Sequence, residues 1–118
     1  MLKKAFFGKT SCFKIQENKG EVYFHMGKKG DSWTWEKLKM SDIELGEILR
    51  ILEGRSESWS TVHVFNENQN KLWINKASDG KAVFFKINDV TKAMSPGEQE
   101  CLRVLLEQCI LKMAEKEN

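Results

Sequence analysis

Trp33-Thr34-Trp35-Glu36-Lys37-Leu38-Lys39-Met40-Ser41 carries the densest set of side chains able to do chemistry. At a period of two, Trp33, Trp35, Lys37 and Lys39 share one face of a strand, and Leu38 and Met40 take the other. Indole rings offer flat π-faces on which any base can stack, each stack worth roughly 1–3 kcal/mol. Ammonium groups meet phosphates and release counterions, so such binding weakens with salt. The chemistry this face suits is non-covalent recognition of a single nucleic-acid strand.

The same pairing of aromatics with lysines recurs along the chain. Lys14, Tyr23 and His25 fall on the non-aliphatic face of the strands before Trp33, and the turn Gly27-Lys28-Lys29-Gly30-Asp31 adds Lys28 and Lys29. In the second half, alternation sends Val62, Val64, Leu72, Ile74, Val83, Phe85 and Ile87 inward. It leaves Thr61, His63, Phe65, Lys71, Trp73, Asn75, Phe84 and Lys86 outward. The candidate contact set is Lys14, Tyr23, His25, Lys28, Lys29, Trp33, Trp35, Lys37, Lys39, Lys71, Trp73, Phe84 and Lys86. Readers of duplex grooves need an Arg- and Asn-rich helix or arm, and the helical stretches here are acidic and apolar.

Signals for catalysis are weak. Gly8-Lys9-Thr10 ends like a phosphate-binding loop, but Lys3 stands where that loop needs its first glycine. His25, His63, Cys12, Cys101 and Cys109 show no metal-ligand spacing, and Cys101 and Cys109 read as helix residues in apolar packing. No enzyme activity, metal or cofactor is expected.

The net charge of +2 conceals a division. Residues 1–39 hold nine basic and four acidic side chains (+5), and residues 40–54 one and four (−3). Residues 55–93 hold six and four (+2), and residues 94–118 three and five (−2). The basic segments read as strands and the acidic ones as helices, so a small total masks a local field able to steer a polyanion.

These side chains need a scaffold of strands. Residues 2–16 read as one or two strands, followed by strands over 21–26 and 33–40, with turns at Glu17–Gly20 and Gly27–Asp31. Ser41-Asp42-Ile43-Glu44 is a capping box, opening a helix to about residue 53 with an apolar stripe at Ile43, Ile48, Leu49, Ile51 and Leu52. Strands at Trp59–Phe65, Lys71–Lys76 and Lys81–Asn88 follow, and Ser95-Pro96-Gly97-Glu98 opens a second helix to about residue 114. Met40-Ser41-x-x-Glu44 recurs as Met94-Ser95-x-x-Glu98, and Leu49-Arg50-Ile51-Leu52 as Leu102-Arg103-Val104-Leu105. The expected fold is α+β: a single domain over 1–118 made of two pseudo-repeat halves, about 1–54 and 55–118. Each half is an antiparallel sheet of three to four strands followed by a helix. The second helix has a broad stripe of Leu102, Leu105, Leu106, Cys109, Ile110 and Met113, wider than one small sheet can cover, so homo-oligomerisation through the helices is expected.

Trp35-Glu36-Lys37, then Ser41, then Glu44-Leu45-Gly46-Glu47-Ile48 resembles the strand-to-helix junction of the Whirly family of plant single-stranded-DNA-binding proteins. The resemblance implies two antiparallel sheets splayed like blades, each followed by a helix. It also implies homotetramers assembled through the helices, and single-strand binding along sheet edges and faces with little sequence preference. The family's Lys-Gly-Lys-Ala-Ala-Leu segment has no match here, and Gly8-Lys9-Thr10 is only a faint echo of it.

The expected function is therefore largely sequence-independent binding of single-stranded DNA, in replication, recombination, repair or transcription. The partner is single-stranded DNA or RNA, and the oligomer a dimer or tetramer. The apolar runs are too short to cross a bilayer, and Met1–Gly8 lacks a signal-peptide pattern. The expected setting is intracellular: cytoplasm or nucleoid, or host cytoplasm for a viral protein. Two alternatives remain open: an RNA-binding protein of the same fold, and a protein-interaction or assembly module whose aromatic face docks a partner.

Overall fold

The computed structural model describes residues 1–117. Four strands, β1 (Leu2–Phe7), β2 (Ser11–Asn18), β3 (Glu21–Lys29) and β4 (Trp33–Met40), form an antiparallel meander in the order β1-β2-β3-β4, followed by α1 (Asp42–Leu52). A second meander, β5 (Ser58–Phe65), β6 (Asn68–Lys76), β7 (Val83–Ile87) and β8 (Val90–Met94), keeps the order β5-β6-β7-β8 and is followed by α2 (Pro96–Glu117). The fold is α+β, with two four-stranded sheets each closed by a helix, as the repeat predicts.

Both helix starts are reciprocal capping boxes. The Ser41 hydroxyl accepts the Glu44 amide at 3.2 Å while Glu44 Oε1 accepts the Ser41 amide at 2.9 Å. Ser95 and Glu98 repeat the exchange at 3.3 and 2.9 Å. One core takes side chains from both halves. Phe13, Ile15, Phe24 and Met26 of the first sheet meet Leu72, Ile74 and Phe85 of the second, sealed by Leu45, Ile48 and Ile51 of α1 and Leu102, Leu106 and Cys109 of α2. Phe13 is the junction, with its ring 4.9 Å from Phe24 and 5.0 Å from Phe85. The Ser11 hydroxyl donates to the Thr91 carbonyl at 2.7 Å, tying β2 to β8.

Several boundaries differ from expectation. The chain turns on two residues at Lys19-Gly20 (φ 53° and 78°) and at Asn66-Glu67 (φ 50° and 69°), the left-handed pair that matches strand twist in a tight hairpin. The polar run 66–70 is thus a two-residue turn followed by β6. Lys28 and Lys29 belong to β3 rather than to a turn. The reading of the second half also lacked β8, whose Lys92 points inward. Its stem is buried, and its ammonium donates to the Ala93 carbonyl at 2.6 Å and to Glu98 at 3.0 Å.

The faces of β5 are inverted relative to expectation. Val62 and Val64 are exposed, and Thr61 and His63 point to the covered side. Directly opposed residues share a face, and the Asn66-Glu67 turn pairs Thr61 with Leu72 and Trp59 with Ile74, both partners being buried. Register therefore overrides the hydrophobicity of the valines. Cys109 is buried, its thiol pushed up to about 11 by burial, with the Glu17 carboxylate adding to the effect. Cys101 is exposed, against the expectation of apolar packing: eight residues along a helix leave two side chains about 80° apart.

His63 is held by α1. Its Nε2 lies 2.6 Å from Glu44 Oε2, so one carboxylate both caps the first helix and anchors a strand of the second sheet. Burial pushes the Glu44 carboxyl up, but hydrogen bonds from His63 and the Ser41 amide outweigh it and leave the pKa below the usual value. A depressed carboxyl pKa stabilises the fold above the unfolded-state value, roughly 4.3, and the contribution is lost as pH falls through the folded value. Glu44→Gln is expected to cost about 1 kcal/mol at neutral pH, with the gap to wild type closing below about pH 4. Urea melts across pH check this, and a gap that persists at the lowest pH contradicts it.

Candidate nucleic-acid interface

Alternation through the middles of β2, β3 and β4 builds one continuous outer face. Cross-strand pairing sets Lys14, His25 and Lys37 in one row across β2, β3 and β4, with Gln16, Tyr23 and Lys39 in the next. Gly27 and Trp35 make the row on the other side, and Lys29 pairs with Trp33 beyond it. The apolar stripes of α1 and α2 are spent on the opposite face, and Lys116 of α2 reaches the edge of this one.

The aromatics are organised by their neighbours. Trp33 and Trp35 stack at 5.7 Å between ring centroids and 24° between planes, and remain 38% and 43% exposed. The Trp35 indole lies flat on Gly27, where an added Cβ would stand 2.8 Å from its ring carbons. A glycine inside a strand commonly marks such a close approach. Lys14 Nζ sits 4.7 Å from the centre of the Trp35 ring, and Lys37 Nζ 4.3 Å from that of Tyr23. Trp35 and Tyr23 each carry an ammonium beside the π-face, where cation–π attraction holds it.

His25 occupies the centre of the middle row. Its pKa lies below the ordinary histidine value because of partial burial, reinforced by the positive charges of Lys14, Lys37 and Lys3. The ring is therefore neutral at physiological pH.

The second sheet carries a smaller version. Trp73 opposes Lys86, whose Nζ lies 5.2 Å from its ring, and Asn75 opposes Phe84, which is partly exposed. Lys71 opposes Val62 on this face, and Val64 opposes Gln69. The register thus adds Val62 and Val64 to the outer face and removes Thr61 and His63. Phe65, at the β5–β6 tip, is 74% exposed. It lines a groove of about 630 Å³ between the two sheets, together with Tyr23, Lys37, Lys39, His63 and Asn70.

Of the candidate residues, Lys14, Tyr23, His25, Lys29, Trp33, Trp35, Lys37 and Lys39 share the outer face of the first sheet, and Lys71, Trp73, Phe84 and Lys86 that of the second. Lys28 does not join them. Its register partner is Thr34, so it sits at an exposed strand end on the opposite side of the pleat. Gly27 was absent from the candidates because the Gly27–Asp31 run reads as a turn, whereas β3 continues through it to Lys29.

No family model matches the chain, and no curated protein matches it. Among solved structures the fold is similar to a chain from "Crystal structures of trypanosoma bruciei MRP1/MRP2", with a TM-score of 0.69 and 11% sequence identity. The match covers 92% of this chain and 82% of that one. At that identity the likeness is one of fold: two sheets and two helices in the same arrangement. No helix among the described residues is long and apolar enough to cross a membrane.

Proposed function

We propose that the protein binds single-stranded nucleic acid, DNA in the first instance, along the outer face of the first sheet, without catalysis. The observation that carries this reading is the stacked Trp33–Trp35 pair, uncovered by any helix and flanked by Lys14, His25 and the Lys37–Tyr23 pair. Bases stack on the indoles and Tyr23, and phosphates meet Lys14, Lys29, Lys37 and Lys39. Trp73, Phe84, Lys71 and Lys86 provide a second contact on the other sheet. The resemblance of the β4–α1 junction to the Whirly family supports the same reading. Self-association into a dimer or tetramer is part of the proposal, and the exposed side of α2, where Cys101, Val104 and Leu111 leave an apolar surface, is where it would occur. The cellular role is to protect or present single strands inside the cell during replication, recombination, repair or transcription.

Salt tests the electrostatic half of this reading. If four lysines meet phosphates, log K for oligo-dT should fall linearly with log salt, with a slope of about −3. Anisotropy of a labelled oligonucleotide measures it, and a slope near zero contradicts phosphate contact.

Gly27 tests the stacking half. Gly27→Ala places a methyl group against the Trp35 ring and lifts the indole off the sheet. Oligo-dT binding is expected to weaken about tenfold, within the loss of one stacking platform, and undiminished affinity counts against Trp35 as that platform.

A further inference from the structure

We propose that the free edge of β5 is an interface with a second copy of this chain, the two β5 strands pairing antiparallel about a two-fold axis. This contact is separate from the α2 surface and does not depend on the single-strand reading.

The two sheets have four free edges, β1, β4, β5 and β8. A free edge presents unpaired amides and carbonyls, and proteins guard it with lysines, inward-pointing charges, bulges or prolines. β1 carries Lys3 and Lys4, and β4 carries Glu36, Lys37 and Lys39. β8 turns Lys92 inward and is tied to β2 by the bond from Ser11 to Thr91. β5 runs Ser-Trp-Ser-Thr-Val-His-Val-Phe, with no Lys, Arg, Asp, Glu or Pro. Its register against β6 is unbroken from Ser58 to Phe65, so no bulge bends it away.

The edge is open. One step before Ser58, the Lys76 amide donates to the Glu57 carbonyl at 2.9 Å. Bonded and non-bonded pairs alternate along an antiparallel ladder. Trp59, Thr61, His63 and Phe65 therefore bond β6, whereas Ser58, Ser60, Val62 and Val64 direct their amides and carbonyls to the free edge. Among the described residues only the Ser58 carbonyl finds a partner there, the Ser56 hydroxyl at 3.3 Å. The same four residues are exposed, Val62 and Val64 at 51% and 65%. α1 holds β5 from the covered face, through Glu44 and His63.

Charge and side-chain size select the occupant. An edge without lysine or arginine gives a phosphate no counter-charge, which disfavours nucleic acid. A second copy brings the same uncharged row, whereas pairing β1 or β4 with itself brings lysines together. A two-fold axis through Thr61 lets all the outward residues bond. It sets Ser60 against Val62 and Ser58 against Val64, small beside large on the exposed face. On the covered face Trp59 meets His63 and Thr61 meets Thr61, a favourable cross-strand pair. An axis one residue on, through Val62, leaves Ser58 unbonded and sets Glu57 against Glu67 at both ends, where like charges destabilise. The joined sheet carries Trp73 and Lys86 of both copies on one outer face.

Sedimentation velocity at tens of micromolar protein compares wild type, Val62→Pro and Leu111→Glu. The Val62 amide points outward, so proline there removes no bond of the β5–β6 ladder but breaks the ladder between copies. Val62→Pro is expected to halve the sedimenting mass and to keep a cooperative urea transition. A monomeric wild type, or a mass unmoved by Val62→Pro, overturns the pairing. A mass that falls with Leu111→Glu but not with Val62→Pro keeps the α2 contact and overturns this one. Should Val62→Pro not fold, a disulfide in a Cys101→Ser background decides. Thr61 forms a non-bonded pair across the axis, with Cα atoms about 4.5 Å apart, within reach of a disulfide. Thr61→Cys is expected to give a cross-linked dimer on mild oxidation. Val64→Cys, held about 20 Å from its copy by the same axis, is expected to give none. No link at Thr61→Cys, or equal links at both positions, overturns the pairing.

Discussion

Replacing Trp33 and Trp35 together by alanine is expected to lower affinity for a single strand by at least about thirtyfold, with little change in stability. Each base stacked on an aromatic contributes roughly 1–3 kcal/mol, so two lost platforms remove about 2–6 kcal/mol of binding. Both side chains are more than a third exposed; they stack on each other, and Trp35 also lies against Gly27 and Lys14. Neither belongs to the buried cluster that holds the sheets together. The double variant should keep a cooperative urea transition near that of wild type while losing oligonucleotide binding. A variant that unfolds would make the pair part of the core, and one that binds normally would remove it from the interface.

Phe13 is where the largest effect on stability is expected. It is fully buried and touches the rings of Phe6, Phe24 and Phe85, the last belonging to the other sheet. Truncating a buried phenylalanine costs about 3–5 kcal/mol through lost transfer energy and the cavity left behind. Domains of this size are stable by only about 5–15 kcal/mol, so Phe13→Ala is expected to leave a marginal fold. Because the ring joins the two halves, both sheets should be lost in one transition at lower denaturant. A fall below about 1 kcal/mol would mean that the halves do not share the core through this ring.

Much of the first sheet was legible because the middles of β2, β3 and β4 alternate cleanly. Phe13, Ile15, Phe24, Met26, Leu38 and Met40 all face one way, so Lys14, Tyr23, His25, Trp35 and Lys37 must face the other. Both capping boxes could be read for the same reason: their geometry is local. The second sheet was harder. In β5 the apolar valines alternate with Thr61 and His63, and hydrophobicity alone sends the valines inward. The deciding fact is long-range: the hairpin pairs Thr61 with the buried Leu72. The turn that sets this register puts Asn66 and Glu67, rather than a glycine, in the left-handed region, so its two-residue length left little trace in the sequence. β8 hides because Lys92 takes an inward position, which is tolerable only once Glu98, itself fixed by the second capping box, lies within 3.0 Å. The candidate site shows the same split. Which residues share a face followed from parity, whereas the reach of Lys14 toward Trp35 and of Lys37 toward Tyr23 depends on side-chain placement that no spacing encodes.

Tryptophan emission followed during titration with oligo-dT, matched RNA and a duplex of the same length at low salt tests the central claim most directly. Trp33, Trp35 and Trp73 lie on outer faces, while Trp59 packs against the core. Single-stranded DNA should quench most of the emission and leave a residue from Trp59, the duplex should quench far less, and added salt should reverse the change. The RNA arm ranks RNA against DNA on the same face. Emission unchanged by either single strand at low salt would contradict nucleic-acid binding by this face.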